Sequence, residues 1–522
     1  MKNKQVKSNF ITWLIQLPFK IIFSRFTIAF FMLVIQGLAI YFCASFFSKY
    51  LLWLFGGTAI LGILLTIYII NQTDSPSFQI SWIILILIFP ALGVFVYLFV
   101  KLQIGVHSLS KKYQKLKFEM EEFQKQDAKI YQKLQGENKI EADYVTYMNR
   151  MSGYAIYQNT CTTYYPLGDD MYPELLQDLE QAKEYIFLEF FIVAKGKMWN
   201  SVLEILKKKV KEGVEVKFMY DGTCSFMLLP HDYPKYLESY GIECKVFNPV
   251  VPIISTQYNN RDHRKIVVID GKIAYTGGVN LADEYINEEQ RFGHWKDTAI
   301  RLEGDAVRGF ILMFLENWYI EQRGVKEYQK YLKGVEAKKN DSFILPYGDN
   351  PFDHYYIGED TYFHVLHHAT QYVHIITPYL ILDYEMLRAL QNAACRGIDV
   401  KLILPKIPDK PFLYYMAKTF YRPLIESGVQ IYEYTPGFTH AKMFVSDDVR
   451  GVIGTINMDY RSFYLNFEDG VYLYQDSSVL KIEEDFQQTL AKCEQVTLKS
   501  FKKYSKFKLL IGKLLRVFAP LL

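Results

Sequence analysis

The chain has 522 residues, 50% of them hydrophobic and 16% aromatic, with 59 basic against 56 acidic side chains. That length accommodates two or more domains plus a membrane segment, and a net charge of +3 gives no global argument for a nucleic-acid partner. Six dispersed cysteines, none in a C-x-x-C pair, indicate neither a zinc site nor a disulfide framework.

Residues 1–26 carry Lys2, Lys4, Lys7, Lys20 and Arg25 without an acid, interleaved with Phe10, Trp13, Phe19 and Phe23, as in a basic segment lying at a membrane interface. Three apolar stretches follow, 27–47, 51–70 and 80–100, each about long enough to cross a hydrocarbon core of about 30 Å. Lysines precede the first span and follow the third (Lys101, Lys111, Lys112, Lys115, Lys117). An odd number of spans cannot put both flanks on one side. Either one segment is re-entrant or interfacial, or the positive-inside rule is broken at one end; the long chain after the spans is assigned to the cytoplasmic side. Residues 101–149 are charged and Gln-rich, with Leu102, Val106, Leu109, Tyr113, Leu116, Met120 and Phe123 at helical spacing, which reads as a solvated helical linker.

From about residue 150, strands alternate with helices, and the pattern is used twice. AKEYIFLEFFIV is answered by ATQYVHIITPYLI, SVLEILKKKVKEGVEVKFMYDG by MLRALQNAACRGIDVKLILPK, and LESYGIECKVF by IESGVQIYEY. The period of about 180 residues is that of a duplicated domain, and the alternation predicts mostly parallel sheets with helices outside.

Each half then delivers the same frame. His263, Lys265 and Asp270 stand as H-x-K-x-x-x-x-D, followed after six residues by Gly277-Gly278-Val279-Asn280; His440, Lys442 and Asp447 are followed after six by Gly454-Thr455-Ile456-Asn457. On a strand, side chains two apart share a face, so each copy presents a base and a cation together. The apolar residues that follow bury the strand, Asp270-Gly271 makes a turn, and the asparagine brings an amide donor. A single His-Lys pair is ordinarily a satisfied histidine beside a surface lysine. Two identical copies supply two imidazoles, two ammonium groups and two amides, which suits a phosphodiester. Glu189 is a carboxylate in an apolar strand, placed either in the site or against a lysine. His364, His367 and His368 share a helix face without an identifiable carboxylate partner and read as surface residues rather than a metal site.

The two frames resemble the HKD motifs of the phospholipase D superfamily. The flanks GGVNLADEYINEEQRFGHWKDT and GTINMDYRSFYLNFEDGV resemble bacterial cardiolipin synthases, and the similarity runs from about residue 150 to the C-terminus. The resemblance implies an α/β fold. Two pseudo-symmetric phospholipase D-like α-β-α domains, 150–335 and 336–495, would share one active site behind N-terminal transmembrane helices. It implies a phosphatidyltransferase that joins two phosphatidylglycerols into cardiolipin and releases glycerol through a phosphohistidine, with water or another alcohol as the alternative acceptor. His263 becomes the nucleophile and His440 the general acid, although pseudo-symmetry leaves the reverse assignment open. Lys265, Lys442, Asn280 and Asn457 bind the non-bridging oxygens. Asp297 and Glu468, at comparable points after each motif, orient the histidines. Asp270 and Asp447 complete the catalytic motifs, and as residues after a strand they hold the turn. No metal or cofactor is implied; the partners are phosphatidylglycerol and other membrane lipids, with no nucleic acid. Gly278 departs from the family, where many members have Ser or Thr, and brings no hydroxyl to the first half. A catalytically silent membrane scaffold is opposed by the two intact motifs. The tail 496–522 holds seven Lys or Arg and no acid, with leucines and phenylalanines at helical spacing. It reads as a basic amphipathic helix on an anionic bilayer, or else as a last helix docked on the protein.

Overall fold

The computed structural model describes residues 34–39, 41, 48–73, 75–101, 104–249, 259–320, 326–353 and 355–521. The basic segment 1–26 and most of the first expected span lie outside these. The helices up to residue 101 form one compact unit, and the chain from Ile104 forms another.

In the first unit, α1 (Ser48–Ile70) is followed by α2 (Pro76–Ile88) and α3 (Pro90–Lys101). The third expected span, 80–100, is therefore not one helix. Pro90 has no N–H to continue the ladder and begins a new helix. The rings of Trp82 and Tyr97 meet edge to face at 5.4 Å, whereas a straight helix would separate these positions by about 22 Å. The two helices fold back on each other as a hairpin. A Cβ at Gly93 would lie 2.6 Å from the Ile86 backbone, so glycine permits this close approach. Among the described residues no helix is long and apolar enough to cross a membrane.

The second unit opens with α4 (Ile104–Met120), α5 (Ala128–Glu137) and α6 (Lys139–Ser152). These are not a solvated linker. Leu109, Tyr113, Leu116 and Met120 form a buried stripe in the same hydrophobic core as both domains. Glu141 on α6 is buried and accepts bonds from Arg450 Nε at 2.8 Å, Tyr472 Oη at 2.6 Å and His364 Nε2 at 3.0 Å. Burial opposes its ionisation, but the bond and charge of His364 and the charge of Arg450 hold its carboxyl at about 2. His364 is thus neither a surface residue nor without a carboxylate partner. Glu141→Ala leaves a buried arginine and histidine unpaired and is expected to cost about 3–5 kcal/mol of stability, read by chemical unfolding in detergent. A loss below about 1 kcal/mol would mean that the cluster behaves as a solvated pair.

The first domain is a seven-stranded sheet built from β1 (Thr160–Tyr165), β2 (Tyr185–Phe190), β3 (Glu215–Asp221), β4 (Glu243–Phe247), β5 (Lys265–Ile269) and β6 (Ile273–Gly277), with β7 (His294–Lys296) outside it and β8 (Ala299–Gly304) within it. The order is β1-β8-β6-β5-β2-β3-β4. Only β2-β3 and β3-β4 pair in parallel; β5 runs antiparallel to β2 and β6. The expectation of mostly parallel sheets fails, and for the β5-β6 pair the reason is local. Asp270 (φ 52°) and Gly271 (φ 69°) adopt left-handed conformations in a tight turn, and a tight turn joins only antiparallel strands.

The second domain contains β9 (Phe343–Asp349), β10 (Tyr372–Ile376), β11 (Leu380–Ile381), β12 (Asp399–Pro405), α7 (Pro411–Glu426), β13 (Gln430–Tyr434), β14 (Gly437–Thr439), β15 (Met443–Ser446), β16 (Arg450–Gly454), β17 (Met458–Asp459), β18 (Glu468–Tyr474) and β19 (Cys493–Val496). Its eight-stranded sheet has the order β19-β13-β12-β10-β15-β16-β18-β9. The chain continues to α8 (Lys506–Arg516). The halves exchange short pairings: β14 lies parallel to β7, and Asp262 bridges Phe467. Each motif is thereby stitched to the other domain immediately before its histidine.

Candidate active site

Because each lead-in segment pairs with the opposite domain, each histidine meets that domain's carboxylate. His263 N–H donates to Phe467 O at 2.8 Å, which sets its ring against the next residue, Glu468. His263 Nδ1 lies 2.7 Å from Glu468 Oε2. In the same way His440 N–H donates to Lys296 O at 2.7 Å, and His440 Nδ1 lies 2.7 Å from Asp297 Oδ2. The two pairs are crossed: the acid of each half holds the histidine of the other. All four side chains are buried.

The lysines lie beside the rings. Lys265 Nζ donates to His263 O at 2.6 Å, and Lys442 Nζ lies 2.8 Å from His440 Nδ1 and 3.0 Å from Nε2. Burial lowers Lys265 to about 8 and Lys442 to about 7, against the pull of the surrounding carboxylates. An anion entering between them restores both charges. Burial, followed by Lys265 and Lys442, pushes His263 well below its ordinary value, and burial with Lys442 lowers His440 to about 4. The acids are unequal. Burial raises Glu468 to about 7. Burial also acts upward on Asp297, but His440 and Lys442 outweigh it and leave the carboxyl lowered. Aromatic rings wall the site unevenly, with Phe191 at 4.9 Å from His263, and Tyr285, Trp295 and Phe438 at 5.5, 5.6 and 5.9 Å from His440.

Comparison with known proteins places this geometry. The family model "Cardiolipin synthase, PLD-like domain" matches residues 175–291 and 362–490, and "Phospholipase D-nuclease N-terminal" matches 60–101. A cardiolipin synthase of Alkalihalophilus pseudofirmus is 32% identical over 94% of this chain and 99% of its own. The chain belongs to the PLD-like cardiolipin synthase family. An uncharacterized protein of Streptococcus mutans is 44% identical over 87% of this chain and 99% of its own. The crystal structure of phosphatidylserine synthase from Haemophilus influenzae superposes with a TM-score of 0.56 at 14% identity, covering 74% of this chain and 98% of that one, a likeness of fold.

Within this family member, the departure at Gly278 has a steric cause. A Cβ there would lie 1.9 Å from Asp297 Oδ1. In the second half Thr455 stands at the matching position, and its hydroxyl donates to Glu468. Asp297 instead accepts Thr298 N–H at 2.8 Å. Asp270 and Asp447 do not face the histidines. Asp270 accepts the backbone N–H groups of Lys183, Glu184 and Tyr185, and Asp447 those of Thr370, Gln371 and Tyr372. They fix the far ends of the motif strands. Asn280 is bonded on both sides, accepting Ile192 N–H at 2.9 Å and donating to Tyr285 Oη at 2.8 Å, while Asn457 Oδ1 is buried with no partner among the described residues. Glu189 pairs with no lysine among the described residues; it accepts from Asn317 Nδ2 at 2.8 Å.

Two supporting residues are absent from the sequence reading. Arg264, wholly buried, donates through Nε to Glu468 O at 3.3 Å and through Nη1 to Met313 O at 3.1 Å. Asp469 accepts Lys265 N–H at 3.1 Å and the Thr276 hydroxyl. Their position inside the motif text, at H-R-K and F-E-D-G, is the signal that could have found them.

Proposed function

We propose that this chain is a cardiolipin synthase that moves a phosphatidyl group between two phosphatidylglycerols. The observation that carries this is the crossed pair, His263–Glu468 and His440–Asp297, joining both halves of a member of this family into one buried site. With Nδ1 held by Glu468, His263 presents Nε2 to phosphorus. The P–N bond forms as the bond to the glycerol oxygen breaks, and His440 delivers a proton to the departing alkoxide. The hydroxyl of a second phosphatidylglycerol then gives its proton to His440 and attacks phosphorus, the P–N bond breaks, and cardiolipin leaves. Lys265, Lys442 and Asn457 stabilise the non-bridging oxygens in both transition states. Asp297 and Glu468 act as positioning residues.

The N-terminal apolar segments seat the enzyme in the cell membrane. The α2–α3 hairpin supports a re-entrant third segment: its helices have 13 and 12 residues, or about 20 Å each, against a core of about 30 Å. A segment that enters and returns removes the odd crossing. Both lysine-rich flanks then face the cytoplasm, with the catalytic part.

The test is turnover of labelled phosphatidylglycerol by purified protein in mixed micelles with a chelator present. Cardiolipin and glycerol in equal amounts, lost in His263→Ala and His440→Ala, are expected. Phosphatidic acid as the main product would make water the acceptor and the chain a hydrolase.

A further inference from the structure

The C-terminal helix α8 is docked on the protein and still presents an apolar stripe outward. Its inner face packs on α7: a Cβ at Gly512 would lie 2.1 Å from Tyr415 O, and the Arg516 guanidinium sits 4.0 Å over the Phe420 ring. Lys508 Nζ lies 5.6 Å from the Tyr415 ring and Lys418 Nζ 5.5 Å from the Tyr504 ring, so the contact with α7 falls on residues 415–420. The outer face carries Phe507, Leu510 and Leu514, which are 71%, 54% and 60% exposed. On a helix these positions fall within about 60° of one another. Exposed Lys502, Lys503, Lys506 and Lys513 accompany them, and no acid occurs from residue 496 onward. At the N-terminal end of α7, Ile407 and Phe412 are also exposed.

Lys410, Leu413 and Tyr414 at this end of α7 line one narrow crevice together with Tyr379 and Phe438. Phe438 lies two residues before His440, with its ring 5.9 Å from the imidazole. Lys410 is also close enough to depress the basicity of His263. The crevice therefore lies beside the His440 ring, with Phe438 as the shared wall.

We propose that the outer face of α8 docks on an anionic lipid bilayer and holds the catalytic part at the lipid surface. Apolar side chains ringed by lysines match an interface of acyl chains under anionic headgroups. The proposal rests on the transferase reading for the identity of the lipid substrate, but the docking can be tested without turnover.

The experiment uses the full chain in nanodiscs of phosphatidylcholine with or without phosphatidylglycerol. In Phe507→Trp, the added emission is expected to shift to the blue and to be quenched by lipids brominated near the headgroup, more strongly with phosphatidylglycerol present. Adding Leu510→Glu and Leu514→Glu is expected to abolish the quenching. The same double substitution in the native chain is expected to raise KM for phosphatidylglycerol in vesicles about tenfold or more, with turnover of a water-soluble aryl phosphodiester unchanged as the sign of an intact fold. Absence of quenching in Phe507→Trp, or equal quenching with and without the glutamates, overturns the proposal. A doubled solution mass that the glutamates abolish, again without quenching, assigns the stripe to a second copy of the chain and also overturns it. Loss of soluble-diester turnover in the unsubstituted protein would instead refute the transferase reading, leaving the quenching result to decide the docking.

Discussion

His263→Ala is expected to abolish transfer, lowering turnover on the order of 10⁴-fold or more, whereas His440→Ala is expected to lose about 10²- to 10⁴-fold and to trap the phosphorylated enzyme. The difference follows from the two carboxylates. His263 is surrounded by Lys265, Lys442 and Lys410 and pairs with an acid whose own burial raises it to about 7, so its ring stays neutral, and once Glu468 is ionised its Nε2 lone pair is free to attack. His440 faces Asp297, whose carboxyl is held below its ordinary range, and is the ring more easily protonated. A phosphodiester binding between the lysines offsets the positive charge that depresses both rings, which favours proton uptake at His440. The discriminating substrate is an aryl phosphodiester whose leaving group needs no proton. With it, His440→Ala should give a burst of phenol and a stable phosphohistidine, because the first step is spared and the second lacks its base. His263→Ala should give neither. A burst in His263→Ala and none in His440→Ala would exchange the two roles.

The motif geometry is legible in the amino-acid sequence because it depends on one local rule. Residues two apart on a strand share a face, and the frame occurs twice with identical spacing. The turn after each strand is equally local, since Asp270-Gly271 announces itself. The features that stay hidden depend on contacts between distant parts of the chain. Asp297 and Glu468 are recognisable as candidate acids, but nothing in their own neighbourhood says that each serves the other half's histidine. That follows from β7 lying beside β14 and from Asp262 bridging Phe467. The carboxylate partner of His364 is Glu141, 223 residues away, on a segment whose charged exterior conceals a buried stripe. Pro90 is visible in the sequence, but a hydropathy window averages over it. Gly278 stands out as a departure; its cause, the proximity of Asp297, exists only in three dimensions.

The crossed acids should also differ in what their removal does. Asp297→Asn is expected to reduce turnover on the order of 10³-fold or more, because an amide can offer His440 Nδ1 a donor where the imidazole needs an acceptor. That turns the ring to the wrong tautomer and removes the charge that stabilises the imidazolium. Glu468→Gln should cost less and change the pH profile instead. Burial raises Glu468 to about 7, so the carboxyl is protonated below that pH and ionised above it. When protonated it can donate to His263 Nδ1, which sends the ring proton to Nε2 and occupies the lone pair that attacks phosphorus. When ionised it accepts from Nδ1–H and leaves Nε2 free. Activity, measured as kcat/KM, should therefore rise with an apparent pKa near 7 in the native enzyme. In Glu468→Gln this rising limb should disappear, leaving the fall that loss of the Lys442 and Lys265 charges produces from about 7 to about 8. Asp297, held low, contributes no limb there. A native profile that is already flat through pH 7, or a limb that survives in Glu468→Gln, would mean that another group controls the nucleophile.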